Sequence, residues 1–209
     1  MDHPNVATTL DHIALLYQSQ GKYADAEQLY RRSLAIGEQT LGKDHPNVAG
    51  TLSGLRSLYR AQQKFDEAIL LQRRVVAIHE VKLSADHPAL AFSRRALAVL
   101  LEIRGEANEA AKLDAQALEV IRRQSRSGDT ADATRFTKAG DTYFESGDFV
   151  LAEASYGSAL DVHQQALGPD AAMVATAWNN LSRAVAKQGR EKEAAVYTRR
   201  AERIRAAAK

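Results

Sequence analysis

The sequence predicts an all-α protein, a right-handed α-solenoid of five helix–turn–helix repeats and ten helices. The 209 residues include 38 alanines and only four prolines, a balance that favours closely packed helices. Related segments return every 42 residues along the chain. Within each segment, apolar residues are spaced three and four apart, as on one face of an α-helix. These three observations together indicate a stack of helical hairpins.

The repeat is clearest where each copy opens. The segment DHPNVATTL begins at Asp2, DHPNVAGTL at Asp44 and DHPALAFSR at Asp86. Asp129, one residue out of phase, and Asp170 mark the two later copies. We therefore expect a single repeat domain over residues 2–209. Its repeats span approximately 2–43, 44–85, 86–127, 128–169 and 170–209.

Each repeat predicts two antiparallel helices joined by a tight turn. In the first repeat, Leu10, Ala14 and Tyr17 mark one helical face, Gly21 marks the turn, and Tyr30 lies on the second helix. The aspartate–histidine–proline opening predicts a helix cap followed by proline in the first turn, where its missing N–H costs little. One such hairpin cannot bury its apolar stripe alone, so neighbouring copies must stack.

These spacings resemble those of the tetratricopeptide repeat: a large residue, then apolar, small and tyrosine positions, and on the second helix alanine, aromatic and small positions. The residues that carry the resemblance in the first and fourth repeats are Leu10, Ile13, Ala14, Tyr17, Ala26, Tyr30 and Ser33, and Phe136, Ala139, Gly140, Tyr143, Ala152, Tyr156 and Ala159. The period of 42 residues exceeds the usual 34 and resembles the kinesin-light-chain type of repeat. The resemblance covers the whole chain and implies a solenoid that binds proteins or peptides in a concave groove.

The third repeat departs most from the family pattern. Arg94 stands at its large apolar position, and Ala107 and Asp114 replace aromatic residues, so we expect this repeat to be the least well packed. The first repeat begins directly after Met1 without a polar capping helix. We expect its outer face to be covered, either by further repeats of a longer array or by another chain.

The sequence lacks the residue patterns of catalytic and metal sites. There are no cysteines, which excludes disulfides, thiolate zinc sites and cysteine nucleophiles. His3, His45 and His87 recur with the repeat. They should therefore lie about 10 Å apart, too far to share a metal that needs ligands at about 2 Å. We expect a non-catalytic protein that uses neither a metal nor a cofactor.

The resemblance implies that a second face of each first helix lines the concave groove. The predicted groove residues are Leu15, Ser57, Arg60, Phe92, Arg95, Val99, Lys138, Asp141, Asn179 and Arg183. An extended segment with an apolar anchor and acidic flanks would suit this lining, because arginine and lysine donate to carboxylates. The alternative is that these basic side chains are simply solvated.

The co-chaperone type of tetratricopeptide domain binds carboxylates through a clamp of lysine, asparagine and arginine residues. At the five clamp positions the first three repeats present Asp11, Leu15, Gly54, Phe92 and Ala96. None matches, so chaperone C-terminal carboxylates are not expected ligands.

Charge is unevenly distributed between the last two repeats. Residues 128–169 carry two basic and seven acidic side chains, whereas residues 170–209 carry nine basic and four acidic ones. Attraction between adjacent repeats explains this, and docking of the basic end on an acidic partner or membrane is the alternative. Nucleic acid is disfavoured, because no aromatic stacking platform accompanies the arginines. With no 18-residue apolar run and no export signal, we expect a cytoplasmic protein without membrane insertion.

Three functions compete. The leading one is a non-catalytic protein–protein interaction module that binds a peptide or partner segment in its groove. The second is a scaffold that self-associates through its uncapped first repeat. The third is the regulatory or sensor part of a larger protein.

Overall fold

The computed structural model describes residues 4–124 and 130–208, with the backbone alone at residues 4 and 122–124. Within these ranges the chain forms ten helices and no β-strand. The helices are α1 (Pro4–Ser19), α2 (Tyr23–Leu41), α3 (Pro46–Ala61), α4 (Phe65–Lys82), α5 (Pro88–Arg104), α6 (Ala107–Gln124), α7 (Ala131–Glu145), α8 (Phe149–Leu167), α9 (Ala172–Lys187) and α10 (Glu191–Ala207). Two helices fall in each predicted repeat, which confirms the all-α repeat fold.

The openings of α3 and α5 show why the repeats begin where they do. Pro46 and Pro88 occupy the first turn of their helices. The N-caps are His45 and His87, whose Nδ1 atoms each accept a backbone N–H two residues further on at 3.1 Å. The cap in the aspartate–histidine–proline opening is therefore the histidine. His3 and Asp129, which mark two other repeats, lie outside the described residues.

The turn inside each repeat requires a residue in the left-handed backbone region. Gly105 occupies it in the third repeat with φ of 93°, at no steric cost. In the second repeat Gln63 takes the same place with φ of 59°. The turn geometry is therefore kept even where the glycine is missing.

The chain forms two compact units, Met1–Ala117 and Leu118–Lys209, here called unit 1 and unit 2. In unit 1, one apolar cluster runs from Ala14 and Tyr30 through Leu58 to Leu97 and Leu101. These residues come from three successive repeats, so the hairpins of unit 1 share a continuous core, as stacked repeats must.

Unit 2 has a core of its own. Tyr156 of α8 is 1% exposed, and Trp178 and Leu181 of α9 are also buried. The Trp178 ring lies 5.1 Å from the ring of Tyr197 on α10. An aromatic contact therefore joins α9 to α10 in unit 2.

The expectation that the third repeat packs least well is wrong. Helix α5 is buried along most of its length, including Leu97 and Leu101. Two arginines of α5 have partners: Arg94 Nη2 donates to Glu80 Oε1 at 3.0 Å, and Arg95 Nε lies 3.4 Å from Asp114 Oδ1. The charged residues at the apolar position of Arg94 and the aromatic position of Asp114 therefore each face a residue of opposite charge.

The least buried first helix is instead α7, all of whose residues are described. Only Ala133 and Gly140 of this helix are buried, and the predicted packing residues Phe136 and Tyr143 are 39% and 37% exposed. Within unit 2, α7 packs mainly against α8, whereas α9 packs against both α8 and α10. The predicted burial of Tyr143 is therefore wrong, because α7 has one main neighbour in its unit.

Candidate protein-binding site

The candidate site of unit 1 lies on one side of its first helices, here called the inner face. On α1 this face contains positions 11, 15 and 18, and on α3 and α5 the positions 42 and 84 residues later. Two hydrogen bonds join α1 to α3 here. Thr51 Oγ1 donates to Asp11 Oδ2 at 2.7 Å, and Gln18 Nε2 donates to Ser57 Oγ at 3.4 Å. These bonds give unit 1 a polar floor between its first two repeats.

Leu15 stands on this floor and is the most exposed of the predicted groove residues in unit 1. It lies between Asp11 and Gln18, one helical turn from each, so the three share one face of α1. Its side chain is 56% exposed, although leucine gains about 1.5–3 kcal/mol when fully buried. Leu15 is thus an apolar contact that the core of unit 1 leaves unused.

The other predicted groove residues of unit 1 lie deeper. Val99 and Arg95 are 6% and 7% exposed, and Ser57, Arg60 and Phe92 are half-buried. Arg95 faces Asp114, so its charge is already compensated within the unit. The structure therefore brings these residues to one side of the first helices but leaves Leu15 as their most accessible member.

In unit 2 the equivalent side of α7 and α9 carries exposed charge. Lys138, Asp141 and Arg183 are all exposed. The guanidinium of Arg183 lies 4.5 Å from the centre of the Phe144 ring, a cation–π contact between α9 and α7. Asn179 is half-buried, and its side-chain oxygen accepts from Arg205 Nη1 at 2.9 Å.

A buried tyrosine supports the inner face in each unit. Tyr156 OH donates to Asp141 Oδ1 at 2.7 Å, and burial, together with this carboxylate, raises the pKa of Tyr156. Burial, with a smaller contribution from the charge of Asp11, raises the pKa of Tyr30 to about 12. Each of the two aspartates therefore lies near a tyrosine that stays neutral at physiological pH.

Asp11, Gln18 and Phe144 also belong to these faces. They occupy the same helix positions as the predicted residues in other repeats, so the repeat register alone predicts them. Their polar or aromatic contacts could not be foreseen from the register alone. Among the described residues, no group of three or more histidine or acidic side chains is placed to hold a metal ion.

The fold and this face define a helical-repeat protein of the solenoid class. The sequence profile of the tetratricopeptide repeat matches residues 5–80, 48–123 and 129–207. The matches cover most of the chain, which therefore belongs to the tetratricopeptide repeat family. Tetratricopeptide repeats form protein–protein interaction modules, and this chain is such a module. Comparison with curated proteins finds no match.

Two solved structures are similar over nearly the whole chain. One is a putative kinesin light chain from Podosopora anserina with nearly identical TPR-like repeats, at 24% identity and a TM-score of 0.57, covering 100% of this chain and 99% of that one. The other is BtubC (BKLC) from P. vanneervenii, at 25% identity and a TM-score of 0.53, covering 98% and 82%. The expected likeness to kinesin-light-chain repeats is thus confirmed.

In residues 4–124 and 130–208, no helix is both long enough and apolar enough to span a membrane.

Proposed function

We propose that this interaction module is non-catalytic and binds an extended peptide segment along the inner faces of its repeats. The observation that carries the proposal is Leu15, an apolar side chain left 56% exposed on a polar floor that links α1 to α3. A polar surface with one accessible apolar residue suits a peptide that makes one apolar side-chain contact and forms hydrogen bonds through its backbone.

Unit 2 has a different chemistry on the equivalent side of its own helices. Lys138 and Arg183 are exposed there, and both can donate to carboxylates of a partner. The stacking of Arg183 on Phe144 holds the guanidinium in place, so less conformational entropy is lost on binding. This face of unit 2 supports binding of an acidic segment. A cytoplasmic location remains a prediction.

The test is selection from an unbiased displayed-peptide library, followed by affinity measurements on the wild type and on Leu15→Ser. We expect enriched peptides to bind Leu15→Ser at least about tenfold more weakly, since burying an apolar contact of this size is worth over 1.4 kcal/mol.

The matched control is Leu70→Ser on α4. Leu70 is 68% exposed and lies on a second helix, away from the inner face, so this variant should bind within about twofold of the wild type. No enrichment on the wild type, or equal losses in both variants, would contradict the proposal.

A second candidate function is self-association through α1. Ile13 and Leu16 of this helix are 37% and 60% exposed, which leaves an apolar strip beside the inner face. Light scattering over a wide concentration range tests this: a mass that rises with concentration, and that Leu16→Glu abolishes, would support a scaffold. A constant monomer mass would eliminate it.

A further inference from the structure

The inner face of unit 1 holds a carboxylate that no described residue neutralises. Asp11 Oδ2 accepts from Thr51 at 2.7 Å. Its other oxygen, Oδ1, is occluded from solvent and has no hydrogen-bond partner among the described residues. Nor does any described cation form an ion pair with Asp11. A half-buried anion with one unpaired oxygen is costly until a donor reaches it.

A second acceptor lies two turns further along the same helix face. Gln18 is only 4% exposed, and its Oε1 has no donor among the described residues. Its amide nitrogen makes one long bond, 3.4 Å, to Ser57 Oγ. A buried acceptor left without a partner costs about 1–3 kcal/mol. The exposed Leu15 therefore lies between two acceptor atoms, Asp11 Oδ1 and Gln18 Oε1, that have no donor among the described residues.

From this juxtaposition we infer that the inner face of unit 1 takes a basic residue of the partner, placed beside an apolar one. This deepens the proposed function and rests on it. The partner's ammonium or guanidinium lies against the half-buried carboxylate of Asp11, and its apolar side chain covers the exposed Leu15. Acidic segments, which the sequence also suggests as ligands, instead suit the face of unit 2, where Lys138 and Arg183 are exposed.

The spacing along α1 specifies the motif for a segment that lies along this helix. Asp11 and Leu15 are separated by about 6 Å of helix rise, which is close to the distance of about 6.8 Å between residues i and i+2 of an extended chain. Those two residues also point to the same side of an extended chain. The expected motif is therefore lysine or arginine, any residue, then an apolar residue.

The test uses peptides enriched from a displayed random library on the whole chain. Their affinities are measured for the wild type, Asp11→Asn, Asp25→Asn and Lys138→Glu, and again after the basic residue of each peptide is replaced by methionine. We expect the basic–x–apolar motif, a loss of about tenfold or more in Asp11→Asn, and a similar loss for the methionine peptide on the wild type. The control is Asp25→Asn, which removes an exposed carboxylate of α2 outside the inner face and should change the affinity for the basic–x–apolar segment by less than about twofold.

Asp11→Asn keeps an oxygen that can accept from Thr51, so its melting temperature should be no lower than that of the wild type, and the methionine peptide repeats the test without altering the protein. Enriched acidic peptides that bind Asp11→Asn normally but fail on Lys138→Glu would overturn this inference and leave the proposed function intact. No enrichment on the wild type would overturn the proposed function, and the inference with it.

Discussion

The same repeat position carries a glutamate at two junctions, with opposite surroundings. Glu27 joins the first and second repeats in unit 1. Its Oε1 accepts from Tyr59 OH at 2.8 Å and from Arg31 Nε at 2.9 Å, and the Arg31 side chain is 62% exposed. Glu153 joins the fourth and fifth repeats in unit 2. It pairs with Arg190 at 2.6 Å, and the two side chains are 9% and 2% exposed.

The unit 2 junction extends into a buried ionic cluster. Arg190 Nε also donates to Glu193 Oε2 at 2.9 Å, and Tyr197 OH donates to Glu193 Oε1 at 2.5 Å. Glu193 is fully buried. The repeat position thus determines which helices are in contact. Solvent exposure determines how strongly the loss of that contact lowers the stability.

The largest expected effect comes from removing the buried cation. Arg190→Met removes the guanidinium that contacts the carboxylates of both Glu153 and Glu193 in the interior, which should lower the free energy of unfolding by about 3–5 kcal/mol. Urea denaturation followed by far-UV circular dichroism measures this change.

Arg190→Lys is the matched control. It keeps the charge, but a single ammonium cannot reproduce the fork that contacts Glu153 and Glu193 together. It should therefore recover part of the lost stability. A loss below about 1 kcal/mol in Arg190→Met would show that the cluster is solvated.

The next effect concerns two helix glycines that contact buried tyrosine rings. A Cβ at Gly140 would lie 2.5 Å from Cε1 of Tyr156, and a Cβ at Gly54 would lie 2.5 Å from Cε1 of Tyr30. Tyr156 is also held by its hydrogen bond to Asp141. Gly140→Ala and Gly54→Ala should each lower the free energy of unfolding by about 1–3 kcal/mol, as overpacked cores do.

Each unit offers a glycine control in open space. A Cβ at Gly157 of α8 or at Gly50 of α3 would meet nothing within 4 Å. Gly157→Ala and Gly50→Ala should therefore raise the free energy of unfolding by about 0.5–1 kcal/mol, because alanine is the better helix former. If all four variants were stabilised in urea melts, the tyrosine rings would not lie where the structure puts them.

A smaller expected effect is the pH dependence of stability, to which one histidine of each unit contributes. Burial lowers the pKa of His163 in unit 2. Burial also lowers the pKa of His79 in unit 1, but a hydrogen bond to the backbone of Ala89 offsets part of the shift. Because the folded state binds these protons less tightly than the unfolded chain, stability is full above the unfolded pKa of about 6.5 and falls as pH decreases below it.

The slope is at most about 1.4 kcal/mol per pH unit for each histidine. Free energies of unfolding at pH 7, 6 and 5 should therefore decrease, and His163→Gln should flatten the decrease more than His79→Gln. A stability that does not change between pH 7 and 5 would contradict the burial of both rings.

Much of the fold could be predicted because the repeat is explicit in the residues. Pro46 and Pro88 begin helices as expected, and the 42-residue interval places the second helix of each repeat. The packing of the third repeat could not be predicted from single positions. Asp114 is unfavourable at an aromatic position until Arg95 is known to face it, and only the fold reveals that pairing.

The helix positions of the candidate site could be predicted, but the exposure of their side chains could not. Val99 occupies the same repeat position as Leu15, yet their side chains are 6% and 56% exposed. Within unit 1, α5 packs against α4 and, through Asp114, against α6, whereas α1 is the first helix of the unit. Exposure depends on neighbours that the local pattern does not specify.

The smallest expected effect returns to the exposed junction. Although burial alone would raise it, hydrogen bonds from Tyr59 and Arg31 lower the pKa of Glu27. Arg31→Met should nevertheless lower the free energy of unfolding by less than about 1 kcal/mol, because the guanidinium is largely solvated and water replaces it readily.

Urea melts at low and high salt measure both this loss of stability and its screening by ions. The loss in Arg31→Met should shrink with added salt, whereas the loss in Arg190→Met should not, because ions screen exposed charges and reach buried ones poorly. Equal salt dependence in the two variants would mean that exposure does not separate the two junctions.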